Sequence, residues 1–158
     1  MSRRVRHWLA FALVTTAIGV GCARPASEDG YVPGLGEIMA ATQMRHLKLW
    51  WAGQAANWPL AGYEVDELEE GFADAVRFHP EHKQSPRPLT ELVPTFTAGP
   101  IAALRTAIAA QDSTRFAAAY DALTAGCNDC HVAAEFSFNV VQRPTANPYS
   151  NQDFRARR

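Results

Sequence analysis

One helical pattern near the end of the chain limits what this 158-residue sequence can fold into. Phe116, Tyr120, Leu123 and Cys127 follow one another at steps of four, three and four residues, so the apolar face of a helix leads directly to a cysteine. Within the sequence CNDCH, residues 127–131, the spacing i, i+3 and i+4 places both thiols and the imidazole on one face of that helix. The fold must therefore leave room beside this helix for whatever the three side chains hold.

The pattern C-x-x-C-H is the attachment sequence of c-type haem. Cys127 and Cys130 would form thioethers with the vinyl groups of the porphyrin, and His131 would bind the iron as the proximal ligand. A structural zinc site normally takes four ligands from two such pairs, whereas the chain has three cysteines in all. A redox dithiol is expected in a βαβ setting, whereas this C-x-x-C lies at the end of a predicted helix. A structural disulfide between the two cysteines is a further interpretation, although it leaves His131 without a role.

Other segments also show helical periodicity, and we find no useful stretch of strand-like alternation. Residues 34–53 separate into a polar and an apolar arc, which is typical of an amphipathic helix. A second helix is predicted to begin at Asn57, a good N-cap residue followed by Pro59 in the first turn. Residues 79–89 carry three prolines and are predicted to form a loop.

The second half of the chain supplies two more helices. One is predicted over residues 100–110, and the other begins after Asp112 and runs into the cysteine motif. Four helices with short connections predict an all-α fold, a four-helix bundle over residues 34–138 with covalent haem on the last helix. Residues 139–158 contain Pro144 and Pro148 and are predicted to form an extended tail.

The position of the motif resembles that of the class II c-type cytochromes, which carry C-x-x-C-H on the last helix of a four-helix bundle. The resemblance covers residues 34–138 in architecture, and in sequence only the stretch FAAAYDALTAGCNDCH. It implies a haem that lies within the bundle against the first helix. It also implies a homodimer through the first two helices as one form of assembly. The aromatic-rich segment KLWWAGQAANWPLAGY and the tail depart from the family, which indicates a divergent branch.

The first helix offers candidates for the sixth iron ligand. Met39, Gln43, His46 and Trp50 form one stripe at steps of four, three and four residues. Met39 is the predicted distal ligand, and His46 is the alternative, which would give a bis-histidine iron. The other interpretation of Met39 is a methionine that fills a gap in the core. Met44, at the edge of the stripe, is the weaker candidate.

The N-terminal residues predict export and a membrane anchor. Residues 1–21 consist of a basic head and a short apolar run, as in a secretory signal. The small residues before Cys22 resemble the lipobox of bacterial lipoproteins, although Gly19 stands where that motif usually has leucine. Cleavage after Ala23 is the alternative, in which Cys22 is discarded. Residues 22–33 are predicted to form a flexible tether, which would hold the domain on the periplasmic side of a bacterial cell envelope.

Charge limits the partners. Without the three arginines of the signal the chain has 12 basic against 16 acidic side chains, a net charge of about −4, which argues against nucleic acid. The predicted second helix is strongly acidic, and this surface is either simply solvated or a docking patch for a basic redox partner.

These observations predict a monohaem c-type cytochrome that carries single electrons in a cell-envelope redox pathway. The alternative function is the binding of NO or CO at an open sixth position of the iron. We predict no enzymatic activity, because no acid, base or nucleophile constellation is recognisable beyond the haem motif.

Overall fold

The computed structural model describes residues 30–82 and 85–156. The predicted export signal, Cys22 and most of the predicted tether lie outside the described residues. The chain divides into two units, Met1–Tyr31 and Val32–Arg158, and the description below concerns the second.

Four α-helices form the second unit, and no strand occurs among the described residues, which confirms the predicted all-α class. Helix α1 spans Leu35–Gln54, α2 spans Trp58–Phe78, α3 spans Leu89–Ala109 and α4 spans Ser113–Ala133. Helix α1 packs mainly on α2, and α3 packs mainly on α4. Contacts between α1 and α4 are few. The result is a four-helix bundle in which α1 and α4 are the least tightly joined neighbours.

Local signals fix where the helices begin. Asp112 caps α4 by accepting hydrogen bonds from the backbone amides of Thr114 and Arg115, both at 3.0 Å. Asn57 accepts one from the amide of Leu60 at 3.3 Å, with Pro59 in the first turn. Such caps satisfy amides that have no partner inside the helix. The predicted starts of α2 and α4 are therefore confirmed.

The prediction for α3 was wrong at its first residue. The helix begins at Leu89 and not at residue 100, and it contains Pro94 and Pro100 in its interior. Each proline lacks an amide hydrogen and so removes one backbone hydrogen bond. The continuous buried face of α3 outweighs this cost, because it contributes much of the core; its buried members are Leu89, Leu92, Val93, Thr97, Ile101, Leu104 and Ala107.

Near Pro100, the backbone of α3 comes very close to Gly126 of α4. Since Pro100 has no amide hydrogen, the carbonyl of Phe96 loses its usual partner four residues on. That carbonyl lies against Gly126, where an added Cβ would stand 2.3 Å from the oxygen. The two helices approach this closely only because Gly126, the residue before the C-x-x-C-H motif, has no side chain. By length and composition α3 could also cross a membrane, a test that the core helices of soluble proteins can pass too.

Candidate functional site

A cavity opens between the first half of α1 and the last half of α4. Its volume is about 200 Å³, and it is partly open to solvent. Its walls are largely apolar and include Leu35, Leu68, Phe72, Leu89, Val93 and Phe136. The four helices, the segment before α3 and the segment after α4 all contribute to it, so the cavity lies at one end of the bundle.

Both cysteines and the histidine of the C-x-x-C-H motif line this cavity. Cys127 packs against the main core and Cys130 against a smaller core cluster, so the two thiols stand where these clusters meet. The two sulphur atoms are not joined to each other. Burial raises the pKa of Cys127 to about 12, with a smaller contribution from the neighbouring Cys130. Burial also raises the pKa of Cys130.

These raised pKa values bear on the alternatives for the two cysteines. A dithiol that exchanges disulfides needs a thiolate, and such sites lower the thiol pKa. Here the buried environment keeps both thiols protonated at neutral pH. The pair therefore lacks the electrostatics of a thioredoxin-like site, as its place at the end of a helix already indicated.

The imidazole of His131 is held by the backbone that follows α4. Its Nδ1 lies 2.6 Å from the carbonyl oxygen of Asn139. Because a carbonyl can only accept a hydrogen bond, Nδ1 must carry the proton, and in the neutral ring Nε2 then keeps its lone pair. A histidine that binds a metal usually donates its other ring N–H to a carbonyl or carboxylate in this way. His131 thus has the tautomer that an iron ligand requires.

Met39 lies on α1 at the level of the motif. Gly53 of α1 faces Phe116 of α4, and His46 bonds to Thr124, so the two helices run antiparallel. The numbers of two residues that lie at the same level, one on each helix, add to about 170. With equal rise in both helices, Met39 falls opposite the turn that holds Cys130. Met39 is half-buried and lines the cavity. Among the described residues it is the methionine that does so.

His46 also lines the cavity, but both of its ring nitrogens have partners in the core. Nε2 lies 2.9 Å from the hydroxyl of Thr124, and Nδ1 lies 2.9 Å from the hydroxyl of Tyr120. Thr124 gives its own hydrogen to the carbonyl of Tyr120, so it accepts from Nε2. Burial lowers the pKa of His46 to about 4. Ligation of iron by His46 would break one of these bonds, so the geometry favours Met39.

The rest of the predicted stripe divides at His46. Gln43 lines the cavity, whereas Trp50 lies beyond it and packs on Tyr120 with ring centroids 4.9 Å apart. Tyr120 and Thr124 lie 74 and 78 residues further along the chain, and no local pattern in the sequence joins them to His46.

Several cavity residues were not predicted from the sequence. His82, in the segment before α3, lines the cavity with its ring 5.5 Å from that of Phe136. Asn139 and Val141 belong to the tail and also line the cavity. Outside the cavity, His79 is half-buried, and its Nε2 lies 2.8 Å from the carbonyl of Pro33. Such contacts depend on how distant segments meet, and no periodicity reports them.

The acidic surface of α2 is largely paired with arginines. Arg45 of α1 lies 2.6 Å from Glu67 and also bonds to the buried Glu64. Arg105 of α3 bonds to Asp66 and Glu69. Burial raises the pKa of Glu64, an effect that Arg45 opposes. Four carboxylates of this helix thus serve contacts within the bundle, which favours a solvated face over a docking patch.

Comparisons with protein-family models, with curated proteins and with solved structures found no match to this chain. Within residues 30–82 and 85–156, no three histidine, cysteine or acidic side chains converge on a point where they alone could hold a metal ion. A haem iron takes only its axial ligands from the protein. That finding therefore does not bear on the haem interpretation.

Proposed function

We propose that the cavity holds one haem c, attached through Cys127 and Cys130 with His131 as proximal and Met39 as distal ligand, and that the protein carries single electrons. The observation that carries this proposal is the state of His131. Its Nδ1 proton is committed to the Asn139 carbonyl, so the unprotonated nitrogen is the one left for a metal. The protein would be an electron carrier and not an enzyme.

The residues present fit the group. A porphyrin needs an apolar slot, two thiols on one helix face and an axial nitrogen beside them, and the cavity combines these features. Gln43 and Asn139 line the cavity and are also exposed, so it opens to solvent beside them. Such an opening would allow the polar propionates to reach water and an electron to leave through the exposed edge.

The chain's own residues have separate tasks in this function. When bound, haem supplies the one-electron redox couple. The thioethers of Cys127 and Cys130 would prevent its loss, and His131 keeps its Nδ1 proton on a carbonyl so that the ring cannot rotate freely. Apolar side chains such as Leu68 and Phe72 exclude water from the cavity walls. The low polarity of the cavity and an iron ligand of the methionine type, here Met39, both favour the reduced form of the haem.

Export, a lipid anchor at Cys22 and a redox partner in the bacterial cell envelope complete the proposal. They are supported by the basic head, the apolar run and the small residues before Cys22. Haem c is attached to exported proteins, which is consistent with a domain on the periplasmic side of the membrane.

The visible spectrum of the purified holoprotein tests the function. We expect a low-spin spectrum, in the oxidised and the reduced state, that CO does not change, because Met39 fills the sixth position. Met39→Ala should convert it to a high-spin form that binds CO. Met44→Ala is the matched control, since Met44 lies on the same helix outside the residues that line the cavity.

Other spectra would redirect the assignment. A wild-type protein that is high-spin and shifts at once with CO would contradict a methionine ligand and favour the binding of NO or CO. A low-spin spectrum that survives Met39→Ala but not His46→Ala would identify His46 as the distal ligand.

A further inference from the structure

The backbone after α4 returns along the helix that carries the haem motif. We call residues 139–143 the strap. Its three contacts with α4 follow in order: Asn139 meets His131, Val141 meets Asn128, and Arg143 meets Asp121. The residues on α4 are spaced by three and seven, so they share one face of the helix. The strap therefore lies antiparallel to α4 over about three turns.

Asn128 grips the strap at its centre. Its side-chain oxygen accepts a hydrogen bond from the amide of Val141 at 2.8 Å, and its side-chain nitrogen donates one to the carbonyl of Val141 at 2.9 Å. An amide side chain can satisfy both backbone groups of one residue, whereas a carboxylate can only accept. Asn128 is half-buried, so water competes less for these two bonds.

The haem motif itself does not require this residue. C-x-x-C-H leaves both positions between the cysteines open, and Asn128 is the first of them. Val141 lies two residues from Asn139, whose carbonyl accepts the Nδ1 proton of His131. Fixing both backbone groups of Val141 therefore fixes the position of that carbonyl.

We propose that Asn128 is a positioning residue for His131: through Val141 it holds the Asn139 carbonyl on Nδ1 and so sets the donor strength of the axial ligand and the reduction potential of the iron. This inference rests on the proposed function. A hydrogen bond from Nδ1 to a carbonyl makes the imidazole a stronger donor, which stabilises the ferric state. Loosening the strap weakens that bond, so the reduction potential rises.

Arg143 is a second fastening, and it does not replace the first. Its guanidinium pairs with the carboxylate of Asp121 and lies over the ring of Trp50, 4.4 Å from the centroid. Both ionic partners are exposed, so this pair contributes little to stability.

The test compares Asn128→Ala with Asn147→Ala in the holoprotein. Asn147 is a matched control, because it lies in the same tail and its side chain bonds locally, to the backbone of Tyr149. Two quantities are measured: the hydrogen exchange of the Val141 amide and the reduction potential. We expect Asn128→Ala to speed the exchange and to raise the potential, and Asn147→Ala to change neither.

The outcomes separate this inference from the function on which it rests. Faster exchange at Val141 with an unchanged potential would mean that the clamp is only structural, and would overturn the inference alone. Unchanged exchange would overturn it as well. A wild-type protein without covalent haem would remove the proposed function and the inference together. If Asn128→Ala does not fold, Asn128→Gln provides both measurements, since it keeps the side-chain volume but moves the amide away from Val141.

Discussion

The two ends of the bundle differ in how α1 and α4 meet. At the closed end, where α1 turns into α2 and α3 into α4, an added Cβ on Gly53 would stand 2.0 Å from the ring of Phe116. At the cavity end the same two helices separate around the motif of residues 127–131. The hydrogen bonds of His46 mark the boundary. The opening is thus confined to one end of the bundle and does not reflect loose packing throughout.

The difference indicates what each end depends on. The closed end buries large side chains against one another, among them Leu49, Phe116, Tyr120 and Leu123, each at 0% exposure. These contacts come from the chain alone. The cavity end has apolar walls that face a space, so a bound group would have to supply the missing contacts. The closed end should therefore carry the stability of the chain without a bound group, and the cavity end should gain stability from the haem that we propose.

The same substitution at both ends gives the largest contrast. Phe116→Ala should lower the free energy of unfolding of the haem-free chain by about 4 kcal/mol, because it empties a fully packed site. Phe136→Ala, at the wall of the cavity, should cost about 1 kcal/mol or less. Urea titration of the two variants measures both values. Equal losses would show that the cavity end is already packed without haem.

The pH dependence of stability tests whether His46 lies at the boundary between the two ends. The pKa of His46 is lowered to about 4 in the fold and lies near 6.5 in the unfolded chain. Unfolding therefore takes up a proton as the pH falls below 6.5. The stabilising effect of the neutral ring is complete above pH 6.5 and is lost down to pH 4, by up to about 3 kcal/mol.

Comparison with His46→Gln isolates this effect, because the amide can still donate to Thr124. In the haem-free chain, the difference in unfolding free energy between wild type and variant should change with pH between 6.5 and 4. A constant difference would mean that water in the cavity reaches the imidazole, so that the boundary lies nearer to the closed end.

The turns that end α1 and α4 give the smallest contrast. Ala56 at the closed end and Glu135 at the cavity end both have positive φ, 49° and 66°, a conformation that favours glycine. In each turn the next amide bonds back to the helix, from Asn57 to Ala52 and from Phe136 to His131. Ala56→Gly and Glu135→Gly should each stabilise the chain by about 1 kcal/mol, measured by thermal unfolding. If only Ala56→Gly stabilises the chain, Glu135 does not keep its positive φ in the turn that follows α4.

Local sequence patterns predicted α4, its Asp112 cap and the face shared by the motif residues, because short-range periodicity and capping decide them. They failed for the start of α3, since Pro94 and Pro100 disfavour a helix locally while the buried face of the whole helix stabilises it. The carbonyl that holds His131 comes from Asn139, outside any periodic segment. Contacts of this kind depend on the tertiary fold.

Mass spectrometry of the chain after expression with the haem attachment machinery tests the central claim most directly. We predict that the mature protein gains the mass of one haem, that denaturation does not remove it, and that Cys127→Ala combined with Cys130→Ala abolishes the gain. A wild-type mass equal to that of the polypeptide alone would contradict the account. So would a mass about two units lower, which one disulfide bond would give.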